Sequence, residues 1–582
     1  MKAMKSVFRT IFFISAVFII GQPFVVSADV LDQRQKFFVD TTYDVSKRSE
    51  VTATLRKISP QFYFYIEDDW WNGLNAQDAN AVLASLSQLA VTFERDVYPS
   101  LTGLFGYENT PGIDRDARIT VLIHPMREDV RGYVNTADGF SRLETARSNE
   151  REMIYFNGTY VTSSFAVSYL AHEFMHLIYL NQKQILRGVD DDIWIQEAFS
   201  ELAPLVTKNR EQEEQEYLAK RMRDFITNPR DSLTEWRNTS VDYGVVSVFF
   251  EYVREQYGLK VLQDAESSGK KGIDALNEAL VKNGFKDTFA DVFQNWALAL
   301  FLNDCSYGKQ FCLTAEAVQQ LRVAPYTSFL PAFGTSELSF SSQTKEWAGN
   351  WYKISGGPKG QMEFVFDGNS QVRFKVPYLL EKASGGTYEQ GVMTIDSSQH
   401  GTLVIPRFGD DVTALILMPF VEGRNTGFNS TTPSYFFSWR ISIVPSATQD
   451  SGTAEDLNSQ IQSLLSQIAR LRSQLAVLQS GLPARAGGPA PAWQVSCQSL
   501  QNNLFFGMKD SNEVRCLQQQ LKEAAVYPEG FITGNFGQLT LAAVIRFQEK
   551  YSAEILAPLG LTQGTGYVGP ATRAKLNQLF VQ

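Results

Sequence analysis

Near residue 330 the hydrophobic pattern of this 582-residue chain changes period. From Ser163 to about Leu321, apolar residues recur mostly at helical spacing, and "VDYGVVSVFFEYVREQYG" is among the clearest stretches. Beyond it, short runs rich in β-branched and aromatic residues alternate with Gly, Asn, Asp and Ser turns. They read "EWAGNWYKISG", "GQMEFVFDG", "QVRFKVPYLL", "GVMTIDSS", "GTLVIPRFG", "VTALILMPF" and "SYFFSWRISIV". One segment cannot satisfy both periods, so more than one core is needed, and the length makes three or four folded units the expectation.

Residues 326–446 therefore read as an antiparallel β-sandwich. Ahead of the helical stretch lie strand-like runs, "QFYFYIEDDWW" and "ARITVLI", and the helix-like "DANAVLASLSQLAVTFERDV". Strands first and helices later make residues 29–325 an α+β unit. Residues 1–28 carry Lys2, Lys5 and Arg9, an apolar run from Ile11 to Ile20, and the small-residue site Val26-Ser27-Ala28. That is the order of a signal peptide, and an uncleaved anchor helix is the alternative, although the run is shorter than the ~20 residues of a span. The expected location is secreted or associated with the cell envelope.

Four cysteines suit that compartment, Cys305 with Cys312 and Cys497 with Cys516 being the simplest disulfide pairs. Zinc ligation by all four lacks the C-x2-C spacing. A net charge of −10 without long basic runs argues against nucleic acid as a partner.

After a polar linker at 447–456, residues 457–480 place Leu457, Ile461, Leu464, Ile468, Leu471, Leu475 and Leu478 four and three apart. This reads as a short coiled coil, which implies a parallel homodimer, a single spacer helix or a helix folded back on a neighbour. A Gly/Pro-rich linker, 481–493, leads into residues 494–582, which contain an echo. Gly534, Gly537, Thr540 and Val544 align with Gly566, Gly569, Thr572 and Leu576, each copy offering a glycine turn and a threonine that can cap the next helix. With "EVRCLQQQL", "FITGNFGQLT", "AAVIRFQEK" and "GYVGPATRAKLN" in order, this segment resembles the type 1 peptidoglycan-binding domain, a small helical module of cell-wall hydrolases. The resemblance implies peptidoglycan or the cell wall as a partner.

Half of the chain's four histidines fall in "YLAHEFMHLIYL". On a helix, His172 and His176 at i and i+4 face one point. They can supply two of the three protein ligands of a catalytic zinc (Zn2+), leaving a place for a water whose pKa falls towards about 7. Glu173 can take that water's proton and pass it to a leaving amine. Ser163 and Ser164 are N-cap candidates for this helix. Downstream, "DDDIWIQEAFSELAPL" offers Glu197 as the third metal ligand and, at i+4, Glu201 to orient a histidine through its far ring nitrogen.

H-E-x-x-H followed after about twenty residues by a ligand Glu with an acid at i+4 resembles the gluzincin metallopeptidases. Within them, "SNEREMIYFN", "YLAHEFMHLI", "WIQEAFSE" and "VDYGVVSVFFEYVREQYG" resemble the hyicolysin-like bacterial peptidases, over roughly residues 36–325. Ala198 stands where these enzymes often carry glycine. The resemblance implies a zinc metallopeptidase domain at 29–325. No G-x-M-E-N motif precedes His172, which favours endopeptidase action on protein or peptide substrates over N-terminal trimming. Tyr243 is the candidate oxyanion donor, with a packed aromatic as the alternative. "VDDD" at 189–192 reads as a solvated loop before a helix, or as a calcium site. His124 has no motif and could border the cleft, and His400 reads as a surface residue. A peptidoglycan-peptide hydrolase and a non-catalytic cell-surface binding protein are the alternative functions.

Overall fold

The computed structural model of the protein describes residues 28–331, 336–423, 432–445, 499–504, 508, 511–527, 532–559 and 564–580. The signal peptide, the linkers, the coiled coil and Cys497 lie outside the described residues. The chain divides into two compact units at residues 451 and 452.

The first unit opens with a six-stranded sheet made of β1 (Arg34–Phe38), β2 (Glu50–Ile58), β3 (Phe62–Glu67), β4 (Ile119–His124), β5 (Gly132–Tyr133) and β6 (Met153–Asn157), ordered β1-β2-β3-β4-β6-β5. β3, β4 and β6 run parallel, and β5 closes the edge antiparallel to β6. Every residue of β3, β4 and β6 is buried, which explains why "FYFYIE" and "ITVLIH" are apolar without alternation. Phe62, Phe64, Val121 and Phe156 face the helices, while Tyr63, Tyr65, Leu122 and Tyr155 pack with Phe37, Val51 and Leu55. Helices α1 (Asp68–Gly73), α2 (Ala76–Thr92) and α3 (Tyr98–Phe105) lie between β3 and β4 in sequence.

Seven further helices follow: α4 (Ala166–Tyr179), α5 (Ile193–Leu202), α6 (Glu211–Thr227), α7 (Ser240–Tyr257), α8 (Leu259–Glu266), α9 (Gly272–Lys282) and α10 (Phe289–Leu302). Ser163 and Ser164 do not cap α4. Phe165 occupies that place without a side-chain cap, and the Ser163 hydroxyl accepts the N–H of Phe165 itself, two residues on. α6 and α7 approach closely because residue 244 is glycine: a Cβ there would stand 2.4 Å from the Phe225 nitrogen and 2.9 Å from the Arg221 oxygen. That contact brings Tyr217 and Arg221 of α6 against Glu201.

Among the described residues, the β-rich stretch holds nine strands in one hydrogen-bonded sheet, whose halves join only through the pair Phe408 and Val412. Both halves contribute to one core, including Ile354, Leu415, Phe364, Ile405, Trp439 and Ile441. This stretch also shares a core with the helices. Trp347 packs on Phe289 at 4.7 Å and Phe420 on Phe293 at 4.9 Å, while the Trp351 indole donates to the Ala297 oxygen at 2.9 Å. Cys305 and Cys312 form a disulfide, and Cys516 is also disulfide-bonded.

In the second unit the sequence echo has a physical basis that differs from the expected caps. Gly537, not Thr540, is the N-cap of helix Gln538–Lys550. Buried Gln518 donates to the Thr540 hydroxyl and the Asn535 oxygen, both at 2.9 Å, and accepts the Gly534 N–H at 3.0 Å. Gln548 repeats this arrangement with Thr572, the Tyr567 oxygen and Gly566 at 3.0, 2.8 and 2.9 Å. Gly534 and Gly566 have φ of 77° and 72°, a conformation that favours glycine. Each threonine therefore ties its turn to the preceding helix.

Candidate metal centre

α4 buries most of its length against the sheet and neighbouring helices, so the imidazoles of His172 and His176 emerge on one side, with ring centroids 5.0 Å apart. α5 crosses that side and presents Glu197. Its Oε2 lies 3.3 Å from His172 Nε2 and 3.6 Å from His176 Nε2. Three donor atoms, one from each residue, fall within 4.8 Å of one another, and no other such group of His, Cys, Asp or Glu occurs among the described residues. Glu197 Oε2 is buried and in hydrogen-bond geometry with neither imidazole. An orphaned carboxylate oxygen between two imidazoles is what a cation would satisfy, and the separations compare with about 3.4 Å between ligands of a tetrahedral ion with bonds near 2.1 Å. The residues present thus fit zinc.

The electrostatics favour a positive charge at the same point. Burial opposes protonation of His172, yet Glu197 and Glu201 outweigh it and raise its pKa to about 10. Burial likewise opposes ionisation of Glu197, but His176 and His172 prevail and lower its pKa to about 2. A divalent cation and a proton would compete for this site.

Glu201, at 0% exposure, lies with Oε1 3.2 Å from His172 Nδ1. It is gripped by residues that carry no sequence motif. Arg221 donates from Nε to Oε2 at 2.6 Å and from Nη2 to Oε1 at 2.5 Å, Tyr217 donates to Oε1 at 3.0 Å, and Ser247 donates to Oε2 at 2.8 Å. The sequence signal that could have found Arg221 is indirect: a fully buried carboxylate requires a cation. Glu173 is not one of the three converging donors and lies in the same cleft beside β5. It is buried, and its pKa is raised by that burial against the pull of both histidines. A Cβ on Gly132 would stand 2.9 Å from Glu173 Oε1, so β5 runs directly past this carboxylate.

Tyr243 sits in the first turn of α7, whose start is fixed by a capping box of Thr239 and Asp242. Its ring centroid is 6.1 Å from that of His172, and its hydroxyl donates to Asn238 Oδ1 at 2.9 Å. His172, Glu173, His176, Glu197 and Tyr243 all line one cleft of about 990 Å³.

Two expectations are corrected. His124 does not border the cleft: it is fully buried, with Nδ1 3.4 Å from Asp44 Oδ2. "VDDD" is not a solvated loop throughout, because Asp191 is buried and accepts from Tyr179 at 2.8 Å and the Gly272 N–H at 2.7 Å, beside the Lys183 ammonium at 3.2 Å. His400 is exposed, 3.2 Å from Asp367.

Residues 510–576 match the family described as "Putative peptidoglycan binding domain", so the C-terminal unit carries that domain. An alignment over 126 positions, covering 19% of the chain, is 25% identical to the neutral metalloprotease ShpI of Staphylococcus hyicus. The match spans 27% of that relative's length. Among solved structures, the chain is similar to PliG of Aeromonas hydrophila, a periplasmic inhibitor of g-type lysozyme, with 13% identity and a TM-score of 0.14, covering 21% of this chain and 100% of that one. A family GH115 4-O-methyl-α-glucuronidase aligns with 9% identity and a TM-score of 0.13, over 58% of this chain and 53% of that one. Neither value denotes a shared fold. No helix among the described residues is long and apolar enough to cross a membrane.

Proposed function

We propose that the protein is a zinc-dependent endopeptidase of gluzincin type, resembling the hyicolysin-like enzymes, that acts outside the cytoplasm and is held near the cell wall by its C-terminal module. The observation that carries this reading is the meeting of His172, His176 and Glu197 in one cleft, with Glu173 buried beside them and free of the ligand role. Bound zinc would be held by those three side chains and would supply Lewis acidity toward a carbonyl and a water.

The chain's own groups do the rest. Glu173 accepts a proton from the attacking water and returns it to the leaving amine, a task suited to a carboxylate whose pKa burial has raised. Glu201, anchored by Arg221, Tyr217 and Ser247, fixes the His172 ring through Nδ1. β5, the sheet edge beside Glu173, offers unpaired backbone groups to an extended peptide. Tyr243 donates to the developing oxyanion after its hydroxyl leaves Asn238. Tyr243→Phe should lower kcat by about 10²-fold with little change in KM, and full turnover in steady-state assays would remove the assignment.

Metal analysis and casein cleavage by the full chain test the whole reading. We expect about one zinc per chain, loss of cleavage on chelation and recovery when zinc is returned. Zinc binding without cleavage would instead mark a non-catalytic surface binder. The peptidoglycan-binding domain favours one second reading, hydrolysis of peptidoglycan peptides, which incubation with purified sacculi separates from general proteolysis.

A further inference from the structure

The cleft holds five basic side chains, and they are not equally matched by acids. Arg127 meets Asp129 through two bonds of 3.1 and 2.8 Å. Lys183 lies 3.2 Å from Asp191 and donates to the Ser268 and Lys270 oxygens. Arg221 has both oxygens of Glu201.

Arg131 and Lys220 differ. Arg131 immediately precedes Gly132, which backs onto Glu173. It donates from Nη1 to the Asp129 backbone oxygen and lies 5.1 Å over the Tyr160 ring, and its buried Nε meets no acceptor. Lys220, on α6, is 3.5 Å from Asp224, but Arg221 is also 3.3 Å from that carboxylate. Burial first, then Arg221, holds the Lys220 ammonium below its usual pKa despite Asp224 and Glu201, and Arg131 acts in the same direction across the cleft. Arg131, whose Nε meets no acceptor, and Lys220, whose carboxylate is shared with Arg221, thus feel one another.

Aromatic rings lie along the same wall. Tyr169, one turn before His172 on α4, packs on Tyr160 at 5.8 Å, and Tyr217 packs on Phe165 at 6.3 Å. A side chain entering beside Tyr169 meets positive charge at its tip.

We infer that this cleft selects peptides bearing a carboxylate next to the bond that is cut, and that Arg131 and Lys220 set the preference. The inference rests on the endopeptidase reading and deepens it by naming the substrate class. Positive side chains at that position are excluded by like charge, and neutral ones add no anionic partner for Arg131 or for Lys220, whose carboxylate is shared. The carboxylate can come from an acidic residue of a protein or from a free carboxylate of a peptidoglycan stem peptide, since the recognising chemistry is shared.

The test uses the zinc-loaded full chain with pairs of quenched peptides that differ only as Glu or Gln at each position flanking the cut. For one position we expect kcat/KM to favour Glu by about tenfold, the size of one charge-assisted hydrogen bond. Lys220→Met and Arg131→Met should each bring the Glu/Gln ratio toward one, whereas Lys220→Arg should keep it. The ratio cancels any general loss of activity. A wild-type ratio near one at every position, or an unchanged ratio in both Met variants, would overturn the inference while leaving proteolysis intact. No cleavage of any peptide or of casein would overturn the endopeptidase reading itself. A parallel incubation with purified sacculi identifies the source once the Glu preference is established, because release of products from sacculi points to stem peptides and no release points to proteins.

Discussion

Glutamine in place of Glu173 is expected to cut peptide hydrolysis by about 10³-fold while metal content and unfolding temperature stay close to those of the parent chain. The substitution keeps the shape of the side chain and removes only its ability to take a proton. Shape matters here because the group is packed against the backbone of β5, where a Cβ on Gly132 would already be 2.9 Å from Glu173 Oε1. Glu173 is not among the three side chains whose donor atoms converge, so the site keeps its ligands. Activity above about a tenth of the parent value, with metal bound, would remove Glu173 from the base role and point to another group. Zinc content should be measured by mass spectrometry on the same samples, so that a loss of rate is not confused with a loss of metal.

The parts of this site that were legible in the sequence are those written along single helices. His172 and His176 share a face because they are four apart on α4, and Glu197 and Glu201 do so on α5. Arg221, Tyr217 and Ser247 were not legible, because their relation to Glu201 exists only after α6 and α7 pack through Gly244. The fold divides in the same way. The strand Gly360–Gly368 has the alternating pattern that marks a strand, whereas the strand Ser336–Thr344, "SELSFSSQT", is serine-rich and pairs along the strand Tyr435–Pro445 at the edge of the sheet. "QVRFKVPYLL" reads as one run, but the chain breaks it at Val376 and sends the two halves to different sheets. Trp347 and Trp351 look like ordinary sandwich residues in sequence. They prove to be part of the link between the β-rich stretch and α10, a contact with no local signature.

Arg221→Leu should be the most destabilising substitution near the site, because it leaves a carboxylate of 0% exposure without its cation. Breaking such a buried pair costs about 3–5 kcal/mol, more than the pair itself contributes over a well-packed apolar replacement. Tyr217, Ser247 and His172 still approach Glu201, but none of them carries a permanent positive charge. Acidity gives the prediction its sign. In the parent chain burial opposes ionisation of Glu201, yet Arg221 chiefly holds its carboxyl far below the usual range. A depressed pKa contributes stability above the unfolded value of about 4.3, and that stability is lost as pH falls below it. In the variant burial dominates, so the carboxyl titrates above its unfolded value and the cost is greatest at neutral pH. The gap between parent and variant in denaturant midpoint should therefore narrow as pH is lowered from 7 toward 5. A double variant, Arg221→Leu with Glu201→Leu, should recover part of the loss at pH 7, since it removes the stranded charge along with its partner. A gap independent of pH, with no recovery in the double variant, would mean that Arg221 stabilises α6 through packing on Tyr217 and Tyr243, over which its guanidinium lies at 5.2 and 4.8 Å, rather than through Glu201.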